Sequence, residues 1–299
     1  NVVNNLNISI KSGEIVGFLG LNGAGKTTTM RMMLGLIKST SGECYIQGKK
    51  LDLNNLELRN KIGYIIETPY SYPDLTVREN LEIFSKLRGV NKDNIDWVIE
   101  KLKLKQYEHK QEKHLSLGNV ACLGIAKAII HKPKILILDE PTNGLDPFGV
   151  IEVRELLKEL ANNLGTTVLI SSHNLEEISK IATRIVIIHE GRLIREVESN
   201  ELEQYLEKKL LVTGSNNKAM KEVLSNHGYQ VNIQSDTENN IDFLELIDKK
   251  SVECPEDVAT LLVHAGYPPK TLNVEKEDLE HYFLRILNDY SGGISNEKA

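Results

Sequence analysis

Tryptophan occurs once, phenylalanine five times and cysteine three times in 299 residues. Cys44, Cys122 and Cys254 are odd in number, widely spaced and in no metal-like pairing. That pattern excludes a disulfide framework and a zinc site, and fits a reducing cytosol. Long apolar runs are also missing. The longest, "KILILDE" and "RIVIIHEG", are strand-sized and far short of the roughly 20 residues a membrane-spanning helix needs. A basic excess is absent too: residues 1–200 carry 26 basic and 24 acidic groups, and residues 201–299 carry 10 and 18. Neither part has the positive field that nucleic-acid binding favours, so no nucleic-acid partner is expected. No signal peptide is present, and a first residue of Asn1 rather than Met leads to the expectation that the sequence begins inside a longer chain.

What is present is an ordinary globular composition, 40% hydrophobic and 26% charged, long enough for more than one domain. Up to about residue 197, apolar strand-like runs alternate with helical patterns. They read "NISI", "IVGFLG", a helix from Lys26 to Ile37, "CYIQG", "KIGYII", helices from Val77 to Lys105, "ILILDE", a helix from Phe148 to Leu164, "TTVLISS", a helix from Leu175 to Ala182, and "RIVIIHEG". Alternation of this kind predicts an α/β fold with a largely parallel sheet and a helical arm inserted before "ILILDE". The texture then changes to β-α-β-β-α-β plus a last helix, predicting a small accessory α+β domain of the ferredoxin-like, split-βαβ kind. The expected division is residues 1–200 and 201–299.

Between "EIVGFL" and "TTMRMMLGLI" stands "GLNGAGKT", Gly20 to Thr27, with the G-x-x-x-x-G-K-T spacing of a phosphate-cradling P-loop. Gly20, Gly23 and Gly25 let successive backbone N–H groups of Leu21, Asn22, Ala24 and their neighbours converge on a polyphosphate. The following helix adds the positive end of its dipole. Lys26 is placed to reach the β and γ phosphates, Thr27 to offer a hydroxyl to Mg²⁺, and Thr28 to add a phosphate contact. The second half of the site is "ILILDEP", a buried strand ending in Asp139 and Glu140. Asp139 is the candidate Mg²⁺ ligand and Glu140 the candidate general base for an attacking water, so ATP with Mg²⁺ is the expected ligand pair.

With "LSLGN" (Leu115 to Asn119) between these motifs, the chain resembles the ATP-binding subunits of ABC transporters over roughly residues 1–200. Six positions of that family's fingerprint appear in order: "GLNGAGKT", Glu67 in "IIETP", "LSLGN", "ILILDE", Asp146 in "NGLDP", and His173 in "SSH". The resemblance implies that Ser116 and Gly118 bind the γ-phosphate held by a second subunit, with Asp146 at the same interface. It makes His173 a γ-phosphate switch and Glu67 a ligand for Mg²⁺ or the attacking water. It further implies a dimer, homo- or hetero-, docked on separate permease transmembrane subunits at the cytoplasmic face of a bacterial membrane.

Glu67 stands where most of the family carries glutamine. That residue, with "LSLG", is similar to the ATPases of bacitracin and lantibiotic exporters that confer resistance or self-immunity. Asn119-Val120-Ala121-Cys122 departs from that subgroup's polar, basic stretch, which implies a weakened signature. No aromatic residue precedes Phe18 to stack on adenine. Tyr70 and Tyr72, in "TPYSYPDL", read either as permease contacts or as turn residues. In the last helix, Leu279, Tyr282, Phe283, Ile286 and Leu287 share one apolar face, read as core packing or as a partner-binding stripe. Exporters of other drugs or lipids, a soluble ATPase uncoupled from transport, and a non-hydrolysing regulatory subunit are the competing readings.

Overall fold

A computed structural model of the chain describes residues 2–51, 58, 60–67, 70–236 and 241–296. The chain divides into two compact units, Asn1–Glu201 and Leu202–Ala299.

The first unit is built on strands β1 (Ile15–Leu19), β4 (Ile62–Ile65), β5 (Ile135–Asp139), β6 (Thr167–Ser172), β7 (Arg184–His189) and β8 (Arg192–Glu198). A small antiparallel hairpin, β2 (Tyr45–Ile46) and β3 (Lys49–Lys50), stands apart from them. The six strands form one sheet in the order β4-β5-β6-β1-β7-β8. Every pairing is parallel except the edge hairpin β7–β8. Strands of a parallel sheet covered on both faces read as continuous apolar runs, as "IVGFL" and "ILILD" do. Phe18, Val16, Ile137, Leu169 and Val186 pack with Met30 and Leu34 in one core beneath the P-loop helix.

Helix α1 (Lys26–Met33) follows β1, and α2 (Val77–Arg88), α3 (Asp93–Lys101) and α4 (Leu117–Ile129) form the arm between β4 and β5. Thr76 caps α2 through a reciprocal capping box with Glu79. Ser116 caps α4, and Asp146 caps α5 (Pro147–Leu164) by accepting from Gly149 N at 2.7 Å. Helix α6 (Leu175–Ser179) leads into β7.

The α/β fold with a parallel sheet and an inserted helical arm is the one the sequence predicts, with local corrections. The "NISI" segment forms no strand. Leu6, Ile8 and Ile10 lean on the core with period-two spacing, but no strand pairs with them. Alternation here records burial without a ladder. The first helix ends at Met33 rather than Ile37, because Gly35 at φ 66° and the Leu36 N–H donating to Arg31 O close it early. "CYIQG" contributes two strand residues only, and the helix from Leu175 stops at Ser179.

The second unit contains β9 (Lys208–Thr213), α7 (Asn217–Asn226), β10 (Val231–Asp236), β11 (Ile241–Leu246), α8 (Lys249–Glu253), α9 (Pro255–His264), β12 (Thr271–Lys276) and α10 (Leu279–Asn296). Its sheet runs β10-β11-β9-β12, antiparallel throughout. Counted within this unit, the fourth strand lies beside the first and the third beside the second. Leu210, Val212, Leu244 and Leu246 meet Met220, Leu224, Val258 and Leu262 in a core of its own. Tyr282, Phe283, Ile286 and Leu287 are buried.

Gly63 fixes how closely α4 lies on the sheet. A Cβ there would fall 2.1 Å from the backbone oxygen of Ala128, and backbone cannot swing aside. Gly63→Ala is therefore expected to destabilise the first unit by roughly 3 kcal/mol, the upper part of the overpacking range. Chemical denaturation with a probe in that unit measures it, and a loss under about 0.5 kcal/mol, an ordinary surface effect, would contradict this packing.

Candidate active site at the carboxyl ends of β1, β5 and β6

Adjacent parallel strands β5, β6 and β1 end at one level, since Asp139 pairs in register with Ser171 and Leu19 with Ser172. Three loops therefore emerge side by side from the carboxyl edge, where open α/β sheets bind ligands. They are the P-loop after β1, the turn that begins at Glu140 after β5, and the turn that begins at His173 after β6.

The P-loop closes with Gly25 at φ 102°, which turns the chain into α1 and leaves the helix without a side-chain cap. Its first-turn N–H groups are thus free to receive an anion in place of a cap. A pocket of about 180 Å³ is lined by Leu21, Asn22, Gly23, Gly25, Lys26, Thr27, Thr28, Glu140 and Val2. Lys26 is buried, and its Nζ donates to Gly20 O at 2.5 Å and Leu21 O at 3.5 Å while lying 3.3 Å from Glu140 Oε1. Ala24 is buried behind the loop.

Thr27 Oγ1 donates to Asp139 Oδ2 at 2.6 Å, and Ser171 Oγ donates to Asp139 Oδ1 at 2.6 Å. The same Ser171 oxygen accepts the Glu140 N–H at 3.0 Å. One buried hydroxyl therefore fixes both acidic positions. Glu140 itself adopts φ 48°, a left-handed turn that lifts its carboxylate out of the strand. That carboxylate is shared: Oε1 faces Lys26, and Oε2 lies 3.0 Å from His173 Nδ1. A carboxylate held by two groups at defined distances is fixed in orientation, the geometry a general base needs.

The hydroxyl of Thr27 and the carboxylate of Asp139 make an oxygen donor pair suited to a hard divalent cation such as Mg²⁺.

The other expected site residues stand outside this pocket's lining. Glu67, at φ 59° just beyond β4, is exposed and pairs with Arg31 of α1 at 2.5 Å. Ser116 accepts from Asn119 N at 3.3 Å and from Asn119 Nδ2 at 2.9 Å, at the exposed start of α4. Gly118 packs against the turn before Asp146, where a Cβ would come 3.3 Å from Gly144 O. Burial first, then the nearby Glu152 and Asp146 carboxylates, push the Cys122 thiol up to about 11. It stays neutral and offers no charge where a basic residue was expected. Of the segment from Glu67 to Asn80, Thr68 and Pro69 lie outside the described residues.

Two contributors escape the motif-by-motif reading. Ser171 left a signal, a hydroxyl directly after the apolar "VLI" of its strand, whereas Arg31 is an ordinary helix-surface cation in sequence.

The family model described as ABC transporter matches residues 3–143, and one described as an AAA domain matches residues 111–179. The chain is 41% identical over 293 residues to the bacitracin transport ATP-binding protein BcrA of Bacillus licheniformis, covering 95% of this chain and 92% of the relative. It is 38% identical over 213 residues to the lantibiotic transport ATP-binding protein SrtF of Streptococcus pyogenes, covering 70% of this chain and 91% of the relative. Among solved structures, an ATP-binding subunit of an ABC transporter superposes with a TM-score of 0.62 at 28% identity, over 68% of this chain and 86% of the other. The ATP-binding cassette MJ0796, in a dimeric post-hydrolysis state bound to ADP and Pi, gives 0.60 at 30% identity, over 66% and 90%. With the P-loop, the acidic strand end and His173 gathered at one edge of a parallel sheet, and likeness to BcrA running through both units, the chain belongs to the ABC transporter ATP-binding family and is an ATPase.

Proposed function

We propose that this chain drives export of peptide antibiotics of the bacitracin class, pairing with a second ATP-binding chain on permease subunits at the cytoplasmic face of a bacterial membrane. The observation that carries the chemistry is Glu140 set between Lys26 and His173, beside the Thr27–Asp139 pair. The bacitracin class is favoured over the lantibiotic class by extent of likeness. BcrA resembles this chain over 95% of its length, the second unit included, while SrtF covers only 70%.

In this reading Lys26 and the N-terminal N–H groups of α1 hold the β and γ phosphates. Thr27 and Asp139 would hold Mg²⁺, and Glu67, paired with Arg31, would be a further oxygen ligand or water holder. Bound Mg²⁺ would supply charge neutralisation at the phosphoryl oxygens. When Lys26 turns to phosphate, Glu140 Oε1 is released to accept a proton from the attacking water, whose oxygen bonds to the γ-phosphorus as the bond to ADP breaks. His173 keeps Glu140 oriented through Oε2. Ser116, Gly118 and Asp146 face the nucleotide of the second chain. None of the three lines this pocket, as a two-chain site requires. With Cys122 neutral, the signature works at reduced strength. Tyr70 and Tyr72, exposed and stacked edge to face at 5.7 Å, form the permease-facing surface.

Three outcomes test the reading. Glu140→Gln is expected to retain ATP binding, lower turnover by about 10²- to 10⁴-fold, the usual contribution of a general base, and accumulate a closed dimer on ATP. Wild-type turnover in that variant contradicts the base assignment. Lys26→Ala removes charge-assisted contacts worth about 1.5 to 3 kcal/mol each, so a titration with labelled ATP should show at least roughly tenfold weaker binding. Finally, cells lacking the chain should become sensitive to bacitracin, with rescue by wild type and not by Glu140→Gln. Unchanged growth inhibition across bacitracin and lantibiotics would remove the peptide assignment and leave the ATPase standing.

A further inference from the structure

Lys127 sits in "GIAKAII", the only charged residue in a run that α4 otherwise fills with buried apolar side chains. It is 5% exposed. Burying an ammonium group is costly unless its hydrogens are satisfied, so a lysine here must be met by acceptors. Its Nζ donates to the backbone oxygen of Tyr70 and, at 2.6 Å, to Ser71 Oγ, and it lies 5.0 Å above the Phe84 ring of α2. Ser71 is itself buried, while Tyr70 and Tyr72 on either side are exposed, Tyr70 to 74%. Desolvation lowers the Lys127 ammonium to about 8, with the Glu112 carboxylate pulling the other way.

A second buried polar residue holds the next part of the same segment. Asn80 of α2 accepts from Tyr72 N at 2.8 Å and donates to Tyr72 O, Leu75 O and Thr76 O at 3.0 to 3.2 Å. The two anchors differ in where they come from. Asn80 ties the segment to its own neighbouring helix, whereas Lys127 ties it to α4, the helix that Ser116 caps about three turns away.

We propose that Lys127 is a positioning residue that fixes the Tyr70–Tyr72 surface to the helix bearing Ser116, so that displacement of that helix moves the surface offered to the permease. The role of that surface rests on the export reading above. The clamp itself does not, because it is a property of this chain alone. A rigid helix pinned through a side chain with two hydrogen-bond acceptors transmits a shift that a loop held by solvent would absorb.

The test is amide hydrogen exchange on the full chain, followed at the Tyr72 and Leu75 N–H groups, which donate to Asn80 Oδ1 and Tyr72 O. Lys127→Met keeps length and apolar stem while removing the ammonium. It is expected to speed exchange at these two amides by about tenfold or more, with the amides of α1 and β5 unchanged, as for a local opening. Lys127→Arg should restore protection. Ser71→Ala should give a smaller increase, and none when added to Lys127→Met, since both act through one contact. In cells, Lys127→Met should lose peptide resistance while the purified chain keeps ATP affinity and turnover within about twofold. Unchanged exchange in Lys127→Met, or faster exchange with full resistance, overturns the proposal. If wild type itself confers no resistance to any peptide, the export reading fails, and the exchange result alone decides whether the clamp exists.

Discussion

The structure turns on the in-register parallel pairing of β5, β6 and β1. Because Asp139, Ser171 and the end of β1 stand at one level, three loops far apart in sequence reach the same few ångströms. Hydrogen bonding across strands sets that level, and the buried apolar runs on both faces hold it there. Thr27 to Asp139, Asp139 to Ser171 and Ser171 to Glu140 are then consequences of register rather than of loop sequence. A slip of one residue in β5 would point Asp139 to the opposite face of the sheet.

Much of this was legible in the amino-acid sequence, for a physical reason. A P-loop and an acidic strand end are local arrangements, specified by residues contiguous in the chain, so Gly20 to Thr28 and Asp139-Glu140 could be placed without knowing the sheet order. The alternation of strand and helix likewise reports the fold class, because burial on both faces of a parallel sheet leaves little choice of residue. Contacts made across the chain were harder to see. Ser171 carries a faint signal, a hydroxyl after the apolar run of its strand, and Lys127 a stronger one, a cation in a buried helix. Neither says which group answers it. Arg31 carries none. The "NISI" segment misled because inward packing and strand pairing leave the same period-two trace.

The helical arm and the sheet core use different kinds of restraint. At the sheet, glycine allows close approach, as at Gly63 under Ala128. In the arm, buried polar side chains fasten a loop: Asn80 accepts one bond from a short segment and donates three to it, and Lys127 donates two more at its start. Close packing resists sliding in every direction, whereas a few directed bonds define one attitude and can be re-formed in another. The arm therefore meets the sheet by close packing at Gly63 and Ala128, and holds its own loop by directed bonds from Asn80 and Lys127.

Lys26 shows what such fixity does for a ligand. Its ammonium is already committed to Gly20 O, Leu21 O and the Glu140 carboxylate, so the loop is closed around its own cation. Arrival of phosphate is then an exchange of partners on a preformed frame, with little backbone left to order. Affinity is reduced by the bonds surrendered, yet the entropy of shaping the loop has been met during folding. In the proposed mechanism the same exchange links phosphate binding to proton transfer, since the carboxylate that Lys26 gives up is that of Glu140.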